Sequence, residues 1–183
     1  MNPAAVAEYE AGVDEIRESP ENVGRVELVV VRPAIDEREL LDVGRLDPVK
    51  GLVGDTWPLR RTRLPDGKPD PDRQLTLMNA RAAALFAGER DRWPLAGDQL
   101  YVDFDLSESS TPAGTRLAIG TAVIEITAAP HTGCVKFAHR FGHDAQAFVN
   151  TPVGRELRLR GVNARVIVAG DVRPGDDVRR LAD

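Results

Sequence analysis

From Gly24 onward the apolar residues come in short runs, and proline, glycine or a polar loop closes each run before it reaches helical length. The run from Gly24 to Arg32 is dense in β-branched residues and stops at Pro33. Gln99 to Leu106 alternates apolar and polar side chains, the period of a strand buried on one face. Thr115 to Gly120 and Thr121 to Thr127 make a hairpin-like pair, and further strands are expected at 39–44, 73–78, 158–161, 163–170 and 175–179. Roughly eight short strands result, irregularly spaced and without sustained strand–helix–strand alternation. A chain of this pattern is expected to be mainly β with inserted helices (α+β), an antiparallel or mixed β-barrel carrying short helices in its loops.

Two or three helices are expected. Val6, Tyr9, Val13 and Ile16 recur at helical spacing, and Ser19-Pro20 ends that segment. Residues 1–22 are therefore read as a helical appendage and 23–183 as the barrel domain. Asn79 is a plausible cap for an alanine-rich helix from Ala80 to Arg90, and 144–149 suits a short helix before Pro152. Residues 58–72 hold four prolines and the cations Arg60, Arg61 and Arg63, which predicts an exposed, locally basic loop. Loops of that length inside a compact domain are functional or mobile.

The chemistry concentrates in one turn. The only cysteine and all three histidines lie between His131 and His143, directly after the strand that Pro130 terminates. Turns on rigid scaffolds are where reactive side chains are presented. A thiol acts as the thiolate, which nearby cations favour, and Lys136 and Arg140 are close in sequence to Cys134. The bland alternative is a small buried cysteine with no role. Pro130 and Gly133 argue against a buried regular element there. His131, Cys134, His139 and His143 also make a conceivable four-ligand zinc site, with the two later histidines sharing a face if the segment is helical. A thiol hydrolase with His131 or His139 as base is a further option, although no hydrolase frame accompanies it.

Net charge and cysteine count bound the rest. The net charge of −5 argues against nucleic-acid binding, and one cysteine cannot form an internal disulfide, which fits a reducing compartment. The N-terminus has neither a basic region nor a long apolar run, and no stretch is long and apolar enough for a membrane span. A cytoplasmic protein with no membrane or nucleic-acid partner is expected.

The order of motifs resembles the MOSC domain family, named for the C-terminal domain of molybdenum cofactor sulfurase. The resemblance rests on Gly51-Leu52-Val53-Gly54-Asp55, on 73–77, on Gly97-Asp98-Gln99-Leu100, on 114–127, on the Cys134 turn, and on 161–166 leading to 170–176. It implies a β-barrel and a cysteine that ligates the molybdenum of a pterin cofactor or carries sulfur to a metal centre. It also implies an oxidoreductase acting on N-hydroxylated compounds, or a non-catalytic sulfur or cofactor carrier. The family often has asparagine where this chain has Gln99, and proline or serine where it has Gly133. The chain has no ferredoxin-like cysteine set and no pyridoxal-phosphate domain, so a separate electron-donor reductase or sulfur donor would be needed.

On this reading Cys134 is the metal ligand and, with His131, the catalytic pair. Lys50, Arg73, Thr76, Thr132, Lys136, Asn163 and Arg165 are the candidate cofactor contacts, cations serving the phosphate and polar groups the pterin edges. If the strand begins at Arg73, then Arg73, Leu75 and Leu77 share one face while Gln74 and Thr76 share the other, so Arg73 and Gln74 cannot both face a ligand. Asn163 and Arg165 do share a face. The substrate is expected to be a small molecule.

Overall fold

The computed structural model describes residues 1–59 and 64–182. The basic residues Arg60, Arg61 and Arg63 of the expected loop lie outside the described residues. In chain order the elements are helix α1 (Pro3–Arg17), strands β1 (Val23–Val31), β2 (Glu39–Leu40), β3 (Gly44–Asp47), β4 (Gly51–Leu52) and β5 (Leu75–Asn79), helix α2 (Ala80–Ala87), and strands β6 (Leu100–Asp103), β7 (Arg116–Ile119) and β8 (Ala122–Ile126). Helices α3 (Val135–Phe141), α4 (His143–Val149) and α5 (Pro152–Glu156) follow, and then strands β9 (Val162–Val168), β10 (Gly170–Val172) and β11 (Asp177–Arg180).

Seven strands close into a barrel in the order β1-β11-β7-β8-β9-β5-β6, with β6 returning to β1. All neighbours are antiparallel except β5 and β6, so the barrel is mixed. The small sheet β10-β3-β4 lies beside it, and β2 pairs with the end of β1.

Strand alternation sorts the side chains into two cores. Leu75, Leu77, Leu100, Val102, Leu117, Ile119, Ile124, Ala164 and Val166 belong to the first, inside the barrel. The intervening residues Met78 and Tyr101 belong to a second, outer core with the helices. Strand β1 would lose this sorting without help, because Val26 and Leu28 would share a face. A bulge in its pairing with β6 between Val26 and Leu28 shifts the phase, so that Val26, Val29 and Val31 join the first core and Leu28 and Val30 the second.

The second core is aromatic. Tyr9 of α1 contacts the rings of Phe86 and Phe148, each at 5.2 Å between centroids, and Phe86 meets Phe137 of α3 edge-on at 6.0 Å. Val13 and Ile16 of α1 are buried in the same layer, so α1 lies on the barrel through α2 and α4. No helix among the described residues is long and apolar enough to cross a membrane.

Three local expectations need correction. Arg73 is not on a strand: Pro71–Arg73 is a 3-10 turn capped by Asp70, and the strand begins only at Leu75. Prolines and an aspartate cap supply that turn, which the alternation in 73–78 conceals. Residues 158–161 are a turn rather than a strand; Arg158 has a positive φ and donates to the Thr111 carbonyl at 2.6 Å. The Ala80 helix ends at Ala87 because Gly88 leaves it in a positive-φ conformation.

Candidate active site

The strand β8 ends at Ile126, and Thr127 to Gly133 carry the chain to Cys134, the N-cap of α3. Several groups hold this connection. Asn163 of β9 donates to the carbonyls of Ala129 and Pro130 at 3.0 and 3.3 Å, and Arg73 donates to the Pro130 carbonyl at 3.2 Å. The Gly133 amide donates to Asn150 Oδ1 at 3.2 Å, and its carbonyl accepts from Asn150 and Gln146 at 3.2 and 3.4 Å. A β-carbon at residue 133 would meet Val149 Cγ2 at 2.7 Å and Asn150 Nδ2 at 3.0 Å, so this peptide must be glycine for α4 to approach. The departure at Gly133 therefore has a packing cause. The Cys134 thiol is left exposed.

A cavity of about 360 Å3 opens beside the thiol, and Arg32, Arg38, Thr76, His131, Lys136 and Arg140 are among its lining. An adjoining cavity of about 330 Å3 shares His131 and Arg160 with it and is also lined by Thr132 and Asn163. Sites for small ligands commonly have volumes of about 300–1,000 Å3.

The cavity floor is built from buried ion pairs. Arg32 and Asp55 form a bidentate pair, with Nε to Oδ2 at 2.7 Å and Nη2 to Oδ1 at 2.8 Å, while Asp55 also accepts from the Trp57 amide at 2.8 Å. That pairing explains why an aspartate follows Gly54. Arg160 donates to Asp98 Oδ2 at 2.6 Å, and Asp98 is fully buried. Three guanidiniums from three parts of the chain then bind three consecutive carbonyls. Arg140 donates to Leu95 at 2.6 Å, Arg160 to Ala96 at 2.8 Å and Arg32 to Gly97 at 2.8 Å. Gly97, at φ 92°, is the left-handed cap that ends the 3-10 turn Arg90–Ala96 carrying the first two of these carbonyls.

His131 Nδ1 lies 3.6 Å from Asp98 Oδ1. Burial pushes the Asp98 carboxyl up, but the Arg160 charge and the adjacent His131 outweigh it and hold the group below the usual carboxylate range. The Arg38 guanidinium is pulled below its ordinary value by burial and by the Arg140 and Arg32 charges. The cavity is thus crowded with positive charge.

The structure brings Cys134, His131, Lys136 and Thr76 to one cavity and places Thr132 and Asn163 on the next. Thr76 donates its hydroxyl to Gln99 Oε1 at 2.7 Å, and Gln99 is fully buried. The departure from asparagine at position 99 therefore falls on a side chain that braces β5. Lys50, Arg73 and Arg165 line neither cavity. Arg165 instead pairs with Glu125 at 2.6 Å and Asp72 at 3.3 Å on the barrel wall. Gln74, also weighed as a pterin contact, is buried and used at both ends of its amide, donating to the Pro48 carbonyl at 2.9 Å and accepting from the Val166 amide at 2.7 Å.

Among the described residues no group of three or more His, Cys, Asp or Glu is placed to hold a metal ion, which removes the four-ligand zinc reading. Gly142, at φ 93°, breaks the chain between α3 and α4, so His139 and His143 sit on different helices and do not share a face. Sequence reasoning missed Arg32, Arg38 and Arg160. A basic residue before Pro33 and one before Gly161 were visible, but nothing local tied them to the cysteine 102 and 26 positions away.

A model of the MOSC domain matches residues 69–179, more than half of the 183 residues. Among solved structures, the fold is similar to the YuaD protein from Bacillus subtilis, with a TM-score of 0.61 and 17% identity over 88% of this chain and 97% of that one. YiiM from Escherichia coli is similar at a TM-score of 0.56 and 22% identity, over 87% of this chain and 70% of that one. YiiM from Geobacillus stearothermophilus gives 0.54 and 12%, over 90% and 75%. At such identities the likeness is one of fold. No curated protein matches the chain. With the domain match spanning from the turn before β5 into β11, and a mixed seven-strand barrel to go with it, the chain belongs to the MOSC domain family.

Proposed function

We propose that the cavity beside Cys134 holds a molybdenum-pterin cofactor, with the Cys134 sulfur as the protein's ligand to the metal. The observation that carries this reading is an exposed thiol at the edge of a cavity rich in cations. Such a donor set fits the group: a thiolate is a soft ligand for a soft or high-valent metal, and guanidiniums match a phosphate. Thr76, Thr132 and Asn163 line the two adjoining cavities, where a pterin edge would find hydroxyl and amide partners. When bound, the cofactor supplies the two-electron redox chemistry.

The reaction we assign is reduction of an N-hydroxylated small molecule. Two electrons and two protons enter, the N–O bond breaks, and amine and water leave. A separate reductase supplies the electrons. His131 lines the cavity beside Cys134 with its Nδ1 3.6 Å from the buried Asp98 carboxylate, which orients the ring, and we assign it the delivery of a proton to the departing oxygen. The exposure of Cys134 leaves the reacting centre open to substrate and electron donor.

The test is turnover of a hydroxylamino compound by cofactor-loaded protein with an artificial electron donor. Turnover in the wild type and its loss in Cys134→Ser support the assignment. A loaded protein without turnover identifies instead a carrier of cofactor or sulfur.

A further inference from the structure

Asp36 lines the cavity beside Cys134. Its carboxylate Oδ1 accepts from Lys136 Nζ at 3.1 Å and from Arg140 Nη2 at 3.0 Å, both on α3. It reaches them from the loop between β1 and β2, with a backbone φ of 63°, a conformation that L side chains seldom adopt. Arg38, two residues on, lines the same cavity, and its buried Nε has no hydrogen-bond partner.

The charges divide cleanly. Of the five arginine and lysine side chains on this cavity, Arg32 and Arg160 are neutralised by the buried Asp55 and Asp98. Arg38, Lys136 and Arg140 remain, and among the described residues Asp36 is the acidic group on the lining that faces them. Three cations against one carboxylate leave a local excess of two in a chain whose net charge is −5. Gly97 lies beside two of these guanidiniums, a β-carbon there standing at ordinary contact distance from Arg38 Nη2, 3.5 Å, and Arg140 Nη1, 3.8 Å.

We propose that Arg38, Lys136 and Arg140 form an oxyanion subsite, that Asp36 is its built-in occupant, and that a phosphate or carboxylate on the ligand displaces Asp36 when the cavity fills. The inference deepens the proposed function and rests on it for the ligand's identity alone. The shared chemistry is a small oxyanion, whether it belongs to the cofactor or to an anionic substrate. Asp36 is largely exposed, so its departure leaves no buried charge behind. Its two surface ion pairs hold the subsite closed with modest strength, which a dianion can exceed.

Inorganic phosphate is the probe, measured calorimetrically on the cofactor-free protein. Asp36→Asn keeps the backbone conformation, because asparagine tolerates positive φ, and removes the competing charge. It is expected to bind phosphate about tenfold more tightly than the wild type, the factor two exposed ion pairs can supply. Lys136→Gln, placed on Asp36→Asn, is expected to lose most of that gain. Equal or weaker binding by Asp36→Asn, with its folding intact by circular dichroism, would overturn the proposal. Repeating the titration on cofactor-loaded protein separates the sources: phosphate excluded there assigns the subsite to the cofactor, and phosphate still bound assigns it to the substrate. Because the first titration needs no molybdenum, its failure is distinct from a failure of the cofactor reading.

Discussion

Single residues at this site divide into those that offer a group and those that hold one. Cys134 and His131 offer; Asn163, Arg73, Asn150 and Gln99 hold. The sequence made the first kind legible because one cysteine and three histidines crowd thirteen residues. Of the second kind, Arg73 and Asn163 read from sequence as ligand contacts and Asn150 did not stand out, since a side chain that grips a carbonyl and one that grips a cofactor have the same chemistry. Gly133→Ala is expected to push α4 away from the turn and cost about 1–3 kcal/mol as an overpacking defect, readable as a lower urea midpoint. Asp55→Asn leaves the Arg32 charge buried without its partner and is expected to cost about 3–5 kcal/mol in the same assay. Asn163→Ala should cost less in stability but reduce cofactor retention, because it frees the Ala129 and Pro130 carbonyls that fix the turn.

Elements matter here through the face each one turns to the barrel. The strands expected at 99–106, at the hairpin-like pair 115–127 and at 163–170 were readable, and β6, β7, β8 and β9 lie in them. The bulge in β1 was not, because it arises from pairing with β6 and no residue in 24–32 announces it. The helical character of 135–141 was only a conditional reading, since Cys134 caps it without a side-chain hydrogen bond and glycine ends it after two turns. What stabilises α3 is tertiary, with Phe137 buried between the Phe86 and Phe141 rings and Arg160 stacked over it at 5.2 Å. This packing aims Lys136 and Arg140 at the cavity. Phe148→Ala in α4 removes a ring that touches both Tyr9 and Phe86, and is expected to cost about 3–5 kcal/mol by chemical denaturation.

At the scale of the molecule, the barrel brings together residues far apart in sequence. The residue just past β1 is Arg32, the turn before β6 supplies Asp98, α3 supplies Arg140, and the turn into β9 supplies Arg160. Fold class was legible from short runs and turn signals, whereas this convergence follows from barrel closure and leaves no local trace. The buried Asp98 links the site to pH. Its carboxyl is held below the ordinary carboxylate value, so its contribution to stability is present above about pH 4 and is lost as the pH falls through its folded value. Asp98→Asn is therefore expected to flatten the acid limb of a stability-against-pH curve. The central claim concerns the cavity beside Cys134, and metal and pterin analysis tests it most directly. Wild type and Cys134→Ser would be purified from a host that makes molybdenum cofactor. The account predicts near-stoichiometric molybdenum and pterin in the wild type and their loss in the variant. Neither molybdenum nor pterin in the wild type would contradict it.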